Sequence, residues 1–281
     1  MMTSEAIRLL QNAYEAGVGA IADDRNTAHV PAESFDAIAK VEQHRWYWRP
    51  DRPRLILIAE SHVYTSDADL GVRISQDAVA PILPPGQTLP PSEYVGLVYC
   101  LGYGEKTLLR NRHAQLSNRG TWQFWDLFGR IAVTGKQPRA GAGSSLRDRL
   151  EWKIKTLLLL KALGVWLLDA SAHAIYVGNK KGRKSDSNEQ AETLRRSPDC
   201  CQRLHHQWWE HYGSQVVNEC ADPVVWVIGS SVHGHLFGLD GFKCEGFIYQ
   251  PNARNVDKEY NWDRLLADVA RLRQNPVGPP T

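Results

Sequence analysis

The chain of 281 residues lacks several features that would assign it to a class of protein at once. It has no apolar run long enough to cross a bilayer, so we do not expect a membrane protein. Its N-terminus has no basic segment followed by an apolar one, so we expect a cytoplasmic protein. A glycine-rich phosphate loop of either standard spacing is also missing, which argues against an enzyme that uses a nucleotide cofactor.

The cysteines do not indicate a metal centre. All five occur without the Cys-x-x-Cys spacing that zinc and iron–sulfur sites use. In a reducing compartment their expected state is the free thiol. We therefore predict neither a metal nor a cofactor.

Charge is almost balanced, at a net +2, and only its distribution suggests a partner. One turn-rich segment carries a cluster of cations at Lys180, Lys181, Arg183 and Lys184. Cations in such a run can neutralise phosphates and release counterions. We assign these four residues to DNA binding.

Four short apolar segments alternate with segments of helical periodicity. The predicted strands are 55–59, 165–168, 224–228 and 246–249. This alternation predicts an α/β fold, a three-layer α/β/α sandwich around a central, mainly parallel four-stranded sheet. Two predicted helices, 4–22 and 33–44, precede the first strand. We treat residues 1–45 as an N-terminal helical extension and 46–281 as the main domain.

Polar side chains follow all four of these strands at the point where each strand ends. They are Glu60, Ser61 and His62 after the first strand, Asp169 after the second, Ser231, His233 and His235 after the third, and Gln250, Asn252, Arg254 and Asn255 after the last. In open α/β sheets, ligands bind beyond the carboxyl ends of the strands. We therefore expect these side chains to line one cleft.

The order of these motifs resembles that of the uracil-DNA glycosylase superfamily. In that superfamily a first strand runs into a Gly-Glu/Gln-Ala/Asp-Pro loop, a middle strand ends in an Asn that reads the base, and a final strand leads to a His-Pro-Ser loop. The corresponding segments here are 59–62, Asp169 and 250–255. The resemblance spans about residues 50–260. It implies a DNA glycosylase that flips a nucleotide out of DNA and hydrolyses its N-glycosidic bond.

Four positions depart from the family pattern. Ala59 replaces the first Gly, and His62 replaces the Pro of the same loop. Gln250 replaces the His that stabilises the departing base anion. Asp169 stands where uracil readers carry Asn, and an ionised Asp can only accept hydrogen bonds.

An acceptor at this position suits the exocyclic amino group of cytosine better than uracil. Since unmodified cytosine would be a dangerous target in the cell's own DNA, we expect a modified cytosine. Hydroxymethylated or glucosylated cytosine of phage DNA fits, and so does a role in anti-phage defence, because the superfamily includes bacterial glycosylases of that kind. The proline-rich segment 81–91 is expected to line a pocket roomy enough for such a base.

The resemblance also implies roles for the strand-end residues. The expected catalytic residues are Glu60, which would stabilise the positive charge on the sugar or orient water, Asp169, which would read the base and could share the water role, and His62, which would position water or a phosphate. The expected substrate-binding residues are Ser61, Gln250, Asn252, Arg254 and Asn255. An aromatic side chain at Tyr103 or within 122–125 would stack on the flipped base. The partner is then DNA, and we expect the enzyme to be a monomer.

Two other classes of function remain open on the sequence. A metal-dependent hydrolase could use Glu60, His62 and Asp169 together with His233 and His235, since zinc takes imidazole and carboxylate ligands. A catalytically inactive nucleic-acid-binding module is the second alternative, because the usual His of the final loop is missing.

Overall fold

Six strands form two sheets in the computed structural model, which describes residues 2–29, 32–110, 122–139, 142–175, 194, 196–251 and 253–275. The strands are β1 (Leu55–Ala59), β2 (Arg73–Ile74), β3 (Leu109–Arg110), β4 (Val165–Asp169), β5 (Val224–Ile228) and β6 (Gly246–Ile248). The main sheet has the order β4-β1-β5-β6 and all of its neighbouring strands are parallel. The short β2 and β3 pair in antiparallel fashion.

Helices surround the main sheet, which confirms the predicted α/β fold. They are α1 (Ser4–Ala22), α2 (Phe35–Tyr47), α3 (Asp67–Leu70), α4 (Gln76–Val79), α5 (Trp122–Ala132), α6 (Leu146–Leu163), α7 (Pro198–Trp208), α8 (Ser214–Asn218), α9 (Ser230–Leu236) and α10 (Trp262–Gln274). A π-helical turn, Trp209–Gly213, joins α7 to α8. Across the described residues, no helix is both long and apolar enough to span a membrane.

The central strand β1 explains why the sheet forms where it does. All five of its side chains are buried, as expected for a parallel strand covered on both faces. Leu57, at its centre, lies opposite Leu167 of β4 and Trp226 of β5. Because these neighbours run parallel, the carboxyl ends of β1, β4 and β5 meet at one edge of the sheet.

The helix before β4 has clear sequence signals at both ends. The Ser145 hydroxyl accepts from the backbone N–H of Asp148, and the Asp148 carboxylate accepts in return from the N–H of Ser145. The helix ends at Gly164, whose φ of 78° is the left-handed conformation typical of a C-cap. A side chain at this position would also lie 2.9 Å from the Arg52 carbonyl oxygen. This glycine therefore sets the entry into β4.

The predicted division after residue 45 does not correspond to a structural boundary. It falls inside α2, which runs to Tyr47 and buries Arg45 completely. The other N-terminal helix, α1, packs against α7 and the π-helical turn. Both helices therefore pack with the rest of the described residues, and the division into an extension and a main domain stays a prediction.

The apolar segment 94–101 consists of buried turns. Its Tyr99 hydroxyl accepts a hydrogen bond from the Leu167 N–H at 2.8 Å, and its carbonyl accepts from the Trp48 indole at 3.1 Å. These bonds hold irregular backbone against β4. Two strands end one residue away from their predicted ends. The strand β4 extends to Asp169, one residue further than predicted, and β6 ends at Ile248, one residue earlier.

Candidate active site

A narrow pocket opens at the carboxyl ends of β1 and β4. It is lined by Ala59, Glu60, Ser61, His62, Val63, Gly96, Leu97, Val98, Phe124, Leu167, Asp169 and Gln250. Its empty volume is about 440 Å³, part of which is open to solvent at the mouth. The pocket thus brings together polar residues from three strand ends that are far apart in sequence, as the strand-end pattern predicts.

Asp169, the last residue of β4, is the buried anion of the pocket, with 4% of its surface exposed. Its Oδ2 accepts a hydrogen bond from Arg45 Nη2 at 2.5 Å and lies 3.6 Å from His62 Nδ1. Burial alone would raise the pKa of this carboxyl, but Arg45 and then His62 outweigh that effect and lower it. Both contacts from the described residues use Oδ2, so Oδ1 is available to a ligand in the pocket.

Arg45 anchors this carboxylate from beneath. Its side chain is fully buried, and it also donates to Glu42 at 2.8 Å and to the Leu167 carbonyl at 2.9 Å. Burial acts to lower the pKa of this guanidinium, but the two carboxylates raise it above its ordinary value. Glu42 in turn accepts from the Tyr212 hydroxyl at 3.0 Å. The ion pair at Asp169 is therefore one end of a buried network with few unsatisfied groups.

His62 lies between two carboxylates. Its Nε2 is 2.9 Å from Glu33 Oε2, its Nδ1 faces Asp169, and 2% of its side chain is exposed. Burial acts to lower the pKa of His62, but Glu33 and Asp169 raise it to about 10. The ring is therefore an imidazolium with both nitrogens engaged. These contacts differ from the role expected from the sequence, in which His62 positions water or a phosphate. We interpret His62 as a positioning residue that acts through the Asp169 carboxylate.

Glu33 joins the two loops that follow β1 and β4. It is fully buried and accepts from the backbone N–H groups of Thr65 at 2.8 Å and Ala174 at 3.2 Å, besides its contact with His62. Sequence reasoning missed both Glu33 and Arg45. Glu33 carries no sequence signal, since an acid before a helix is usually solvated, and Arg45 is a cation of a kind that is rarely buried without a partner.

Glu60 and Gln250 form the more open side of the pocket. Both are partly exposed, and Gln250 Nε2 donates to Glu60 Oε2 at 3.4 Å, a long bond. Gly229, with φ of 113°, lies beneath the glutamine, where an added Cβ would be 3.4 Å from Gln250 Cγ. The absence of a side chain at Gly229 thus leaves room for Gln250 at the pocket edge.

The other predicted substrate-binding residues divide into three groups. Ser61 lines the pocket, but its hydroxyl donates to the His62 carbonyl at 2.9 Å and accepts from the Ile175 N–H at 2.8 Å, so it also shapes the loop. Arg254 and Asn255 are exposed and are not among the lining residues. Asn252 lies outside the described residues, as do the predicted DNA-binding residues Lys180, Lys181, Arg183 and Lys184.

The apolar wall of the pocket differs from the prediction. No residue of the proline-rich segment 81–91 lines it; the segment 96–98 does so instead, because its turns pack directly over β4. Of the expected aromatic residues, Phe124 lines the pocket, whereas Tyr103 and Trp125 are buried in the core. One aromatic ring is therefore available to a ligand at this point.

The alternative metal site does not assemble in the described part of the chain, where no three His, Cys, Asp or Glu side chains are grouped as metal ligands. His62 uses its nitrogens on Glu33 and Asp169. His235, on α9, instead faces His205, with the two Nδ1 atoms 2.8 Å apart. The donor arrangement thus gives the metal-hydrolase alternative no support among these residues.

Comparisons with protein-family models, curated proteins and solved structures found no match to this chain. The resemblance to the uracil-DNA glycosylase superfamily therefore stays a prediction based on the order of its motifs. The function has to be argued from the geometry of the pocket.

Proposed function

We propose that the protein is a DNA glycosylase that excises a modified cytosine. The observation that carries the proposal is the convergence of Glu60, Asp169 and Gln250, from the ends of three strands, on one pocket. Asp169, the buried carboxylate among them, is held ionised by Arg45. An ionised carboxylate is a hydrogen-bond acceptor, which a site that recognises a hydrogen-bond donor requires. A base flipped out of DNA would enter this pocket edge-on.

Asp169 would select the base. Because Arg45 lowers its pKa and fixes Oδ2, the carboxylate can offer only acceptor lone pairs from Oδ1. The amino group of cytosine is a donor and would form a charge-assisted hydrogen bond there. Uracil presents a carbonyl oxygen at the same place, and two acceptors repel each other. The expected substrates are therefore aminated pyrimidines, among them the hydroxymethylated and glucosylated cytosines of phage DNA.

Glu60 and Gln250 would act on the bond that breaks. As the bond between C1′ and the base nitrogen lengthens, its electron pair moves to the base and positive charge develops on the sugar. The Glu60 carboxylate stabilises that charge, and water then adds at C1′ and transfers a proton to Glu60. The Gln250 amide donates a hydrogen bond to the oxygen of the departing base. The base anion then takes up that proton, so the products are an abasic site and the neutral free base, and Glu60 is ionised again.

Phe124 would hold the base by its face. Its ring and the apolar segment 96–98 form the walls of the pocket, and an aromatic face suits stacking on a heterocycle. Because the pocket is narrow, one of these walls has to move to admit a base. Base entry is therefore expected to change the environment of Phe124.

The test is incubation of the purified protein with DNA that carries uracil, hypoxanthine, cytosine, hydroxymethylcytosine or its glucosylated form, followed by alkali to cleave abasic sites. Strand breaks are expected with modified cytosine, and Glu60→Gln should abolish them while the exposed Glu245→Gln should not. A folded protein that yields no break with any base contradicts the proposal and favours an inactive binding module. Breaks with uracil alone contradict the role of Asp169.

A further inference from the structure

A cluster of partly exposed aromatic rings lies beside β6, the edge strand of the main sheet. We call it the β6 aromatic surface, and it consists of His233, Phe237, Phe247, Tyr249 and Tyr260. Successive rings are in contact, with centroid distances from 5.1 to 5.6 Å. Two members remain notably accessible, since Phe237 is 71% exposed and Tyr260 is 43% exposed. Exposed apolar side chains that lie together mark binding surfaces more often than isolated ones do.

Phe237 presents one face of its ring to solvent. The other face lies on His233, with an interplanar angle of 29° and a centroid distance of 5.4 Å. The His233 ring also contacts Phe247, which fixes the stack against β6. The exposed face of Phe237 is therefore a supported planar surface, which is the geometry needed to stack a nucleobase.

This surface lies next to the pocket along the chain. Tyr249 directly precedes Gln250, which lines the pocket and contacts Glu60. Gly229, beneath Gln250, precedes α9, and Phe237 follows the last residue of that helix. The seven residues of α9 span about 10 Å along the helix axis. A few stacked nucleotides, each with a rise of about 3.4 Å, span a similar length. A strand with one base in the pocket can therefore place its neighbours on these rings.

We propose that the β6 aromatic surface stacks unpaired nucleotides that flank the base in the pocket, so that the preferred substrate is single-stranded DNA. The proposal rests on the proposed glycosylase function and specifies the form of its substrate. In a duplex the flanking bases are stacked inside the helix and offer no free face to Phe237. The hydroxyls of Tyr249 and Tyr260 and the exposed Arg254, in the loop between Gln250 and Tyr260, can contact the phosphates of the same strand.

The test measures binding without excision, by fluorescence anisotropy of a labelled oligodeoxynucleotide offered as a single strand or annealed to its complement. We expect the single strand to bind more tightly than the duplex. Phe237→Ala should weaken single-strand binding about tenfold, from the loss of one stacked base, and should leave duplex binding unchanged. Phe237→Trp should retain single-strand binding. Leu89→Ala, which removes another half-exposed apolar side chain, should change neither.

Several outcomes would overturn the inference. One is that the wild type binds the duplex more tightly than the single strand. Another is that Phe237→Ala weakens the binding of single strand and duplex equally, or weakens neither. A concentration-dependent dimer in sedimentation, abolished by Phe237→Ala, would show that the surface binds a second copy of the chain instead. Because binding is measured apart from base release, failure of excision with intact single-strand binding would refute the glycosylase proposal and not this surface.

Discussion

Replacement of Arg45 by Met tests the buried network that holds the proposed base reader. The change keeps most of the side-chain volume but leaves the carboxylates of Glu42 and Asp169 without their shared cation. Loss of one partner from a buried ion pair costs about 3–5 kcal/mol, because the remaining charge stays desolvated. Since a whole domain is stable by about 5–15 kcal/mol, we expect a large fall in the free energy of unfolding.

The assay is equilibrium unfolding in urea at neutral pH, with Arg8→Met as the matched control. Arg8 also pairs with a carboxylate, Glu5, but both side chains are exposed, so its removal should change stability little. The two variants therefore differ in burial and not in the type of pair that is lost. A change in the midpoint with an unchanged dependence on urea would show that stability alone has changed.

The effect of Arg45→Met should depend on pH. In the wild type Asp169 has a lowered pKa, so its contribution is present above its unfolded pKa of about 3.9 and is lost as pH falls through the folded value. Without Arg45, less positive charge opposes the effect of burial, so the folded Asp169 carboxyl binds a proton more readily in the variant than in the wild type. Acidification from neutral pH should therefore reduce the difference between variant and wild type. Equal destabilisation by Arg45→Met and Arg8→Met would refute the account of the network.

Two further predictions concern His62 and Gly17. The pKa of His62 is raised to about 10, so the stabilisation by its charge is fully present below about pH 6.5 and is lost as pH rises towards 10. In urea unfolding, the stability difference between wild type and His62→Gln should therefore be larger near pH 6 than near pH 9. A difference that does not change with pH would contradict this. Gly17→Ala would place a Cβ 2.4 Å from His173 Cδ2 and should lower the free energy of unfolding by about 1–3 kcal/mol. The control is Gly19→Ala in the same helix, where a Cβ meets nothing within 4 Å, and it should raise the free energy of unfolding by about 0.5–1 kcal/mol. Equal midpoints for these two glycine variants would refute the close packing of α1.

The elements that the sequence predicted well are those with local causes. The apolar run of β1 and the helical periodicity of α1 depend on neighbouring residues, and their predicted bounds, 55–59 and 4–22, are those of the structure. The positions of Glu60, Asp169 and Gln250 followed from one geometric rule, that parallel strands end at a common edge. The rule placed them correctly around one pocket.

The residues that the sequence missed depend on tertiary burial. Arg45 and Glu33 are charged, and charged side chains are rarely buried unless a partner from elsewhere in the fold meets them. Those partners, Asp169 and His62, are more than a hundred and about thirty residues away respectively. The pocket wall was missed for a similar reason, because the turns at 96–98 carry no periodic pattern that would place them over β4.

The most direct test of the central claim is identification of the released base by mass spectrometry. Single-stranded and duplex DNA containing hydroxymethylcytosine would be incubated with the wild type and with Glu60→Gln, and the low-mass fraction would be analysed. The account predicts intact hydroxymethylcytosine as free base from the wild type and none from Glu60→Gln. Release of nucleotides, a deaminated base, uracil only, or no base at all from folded protein would contradict it.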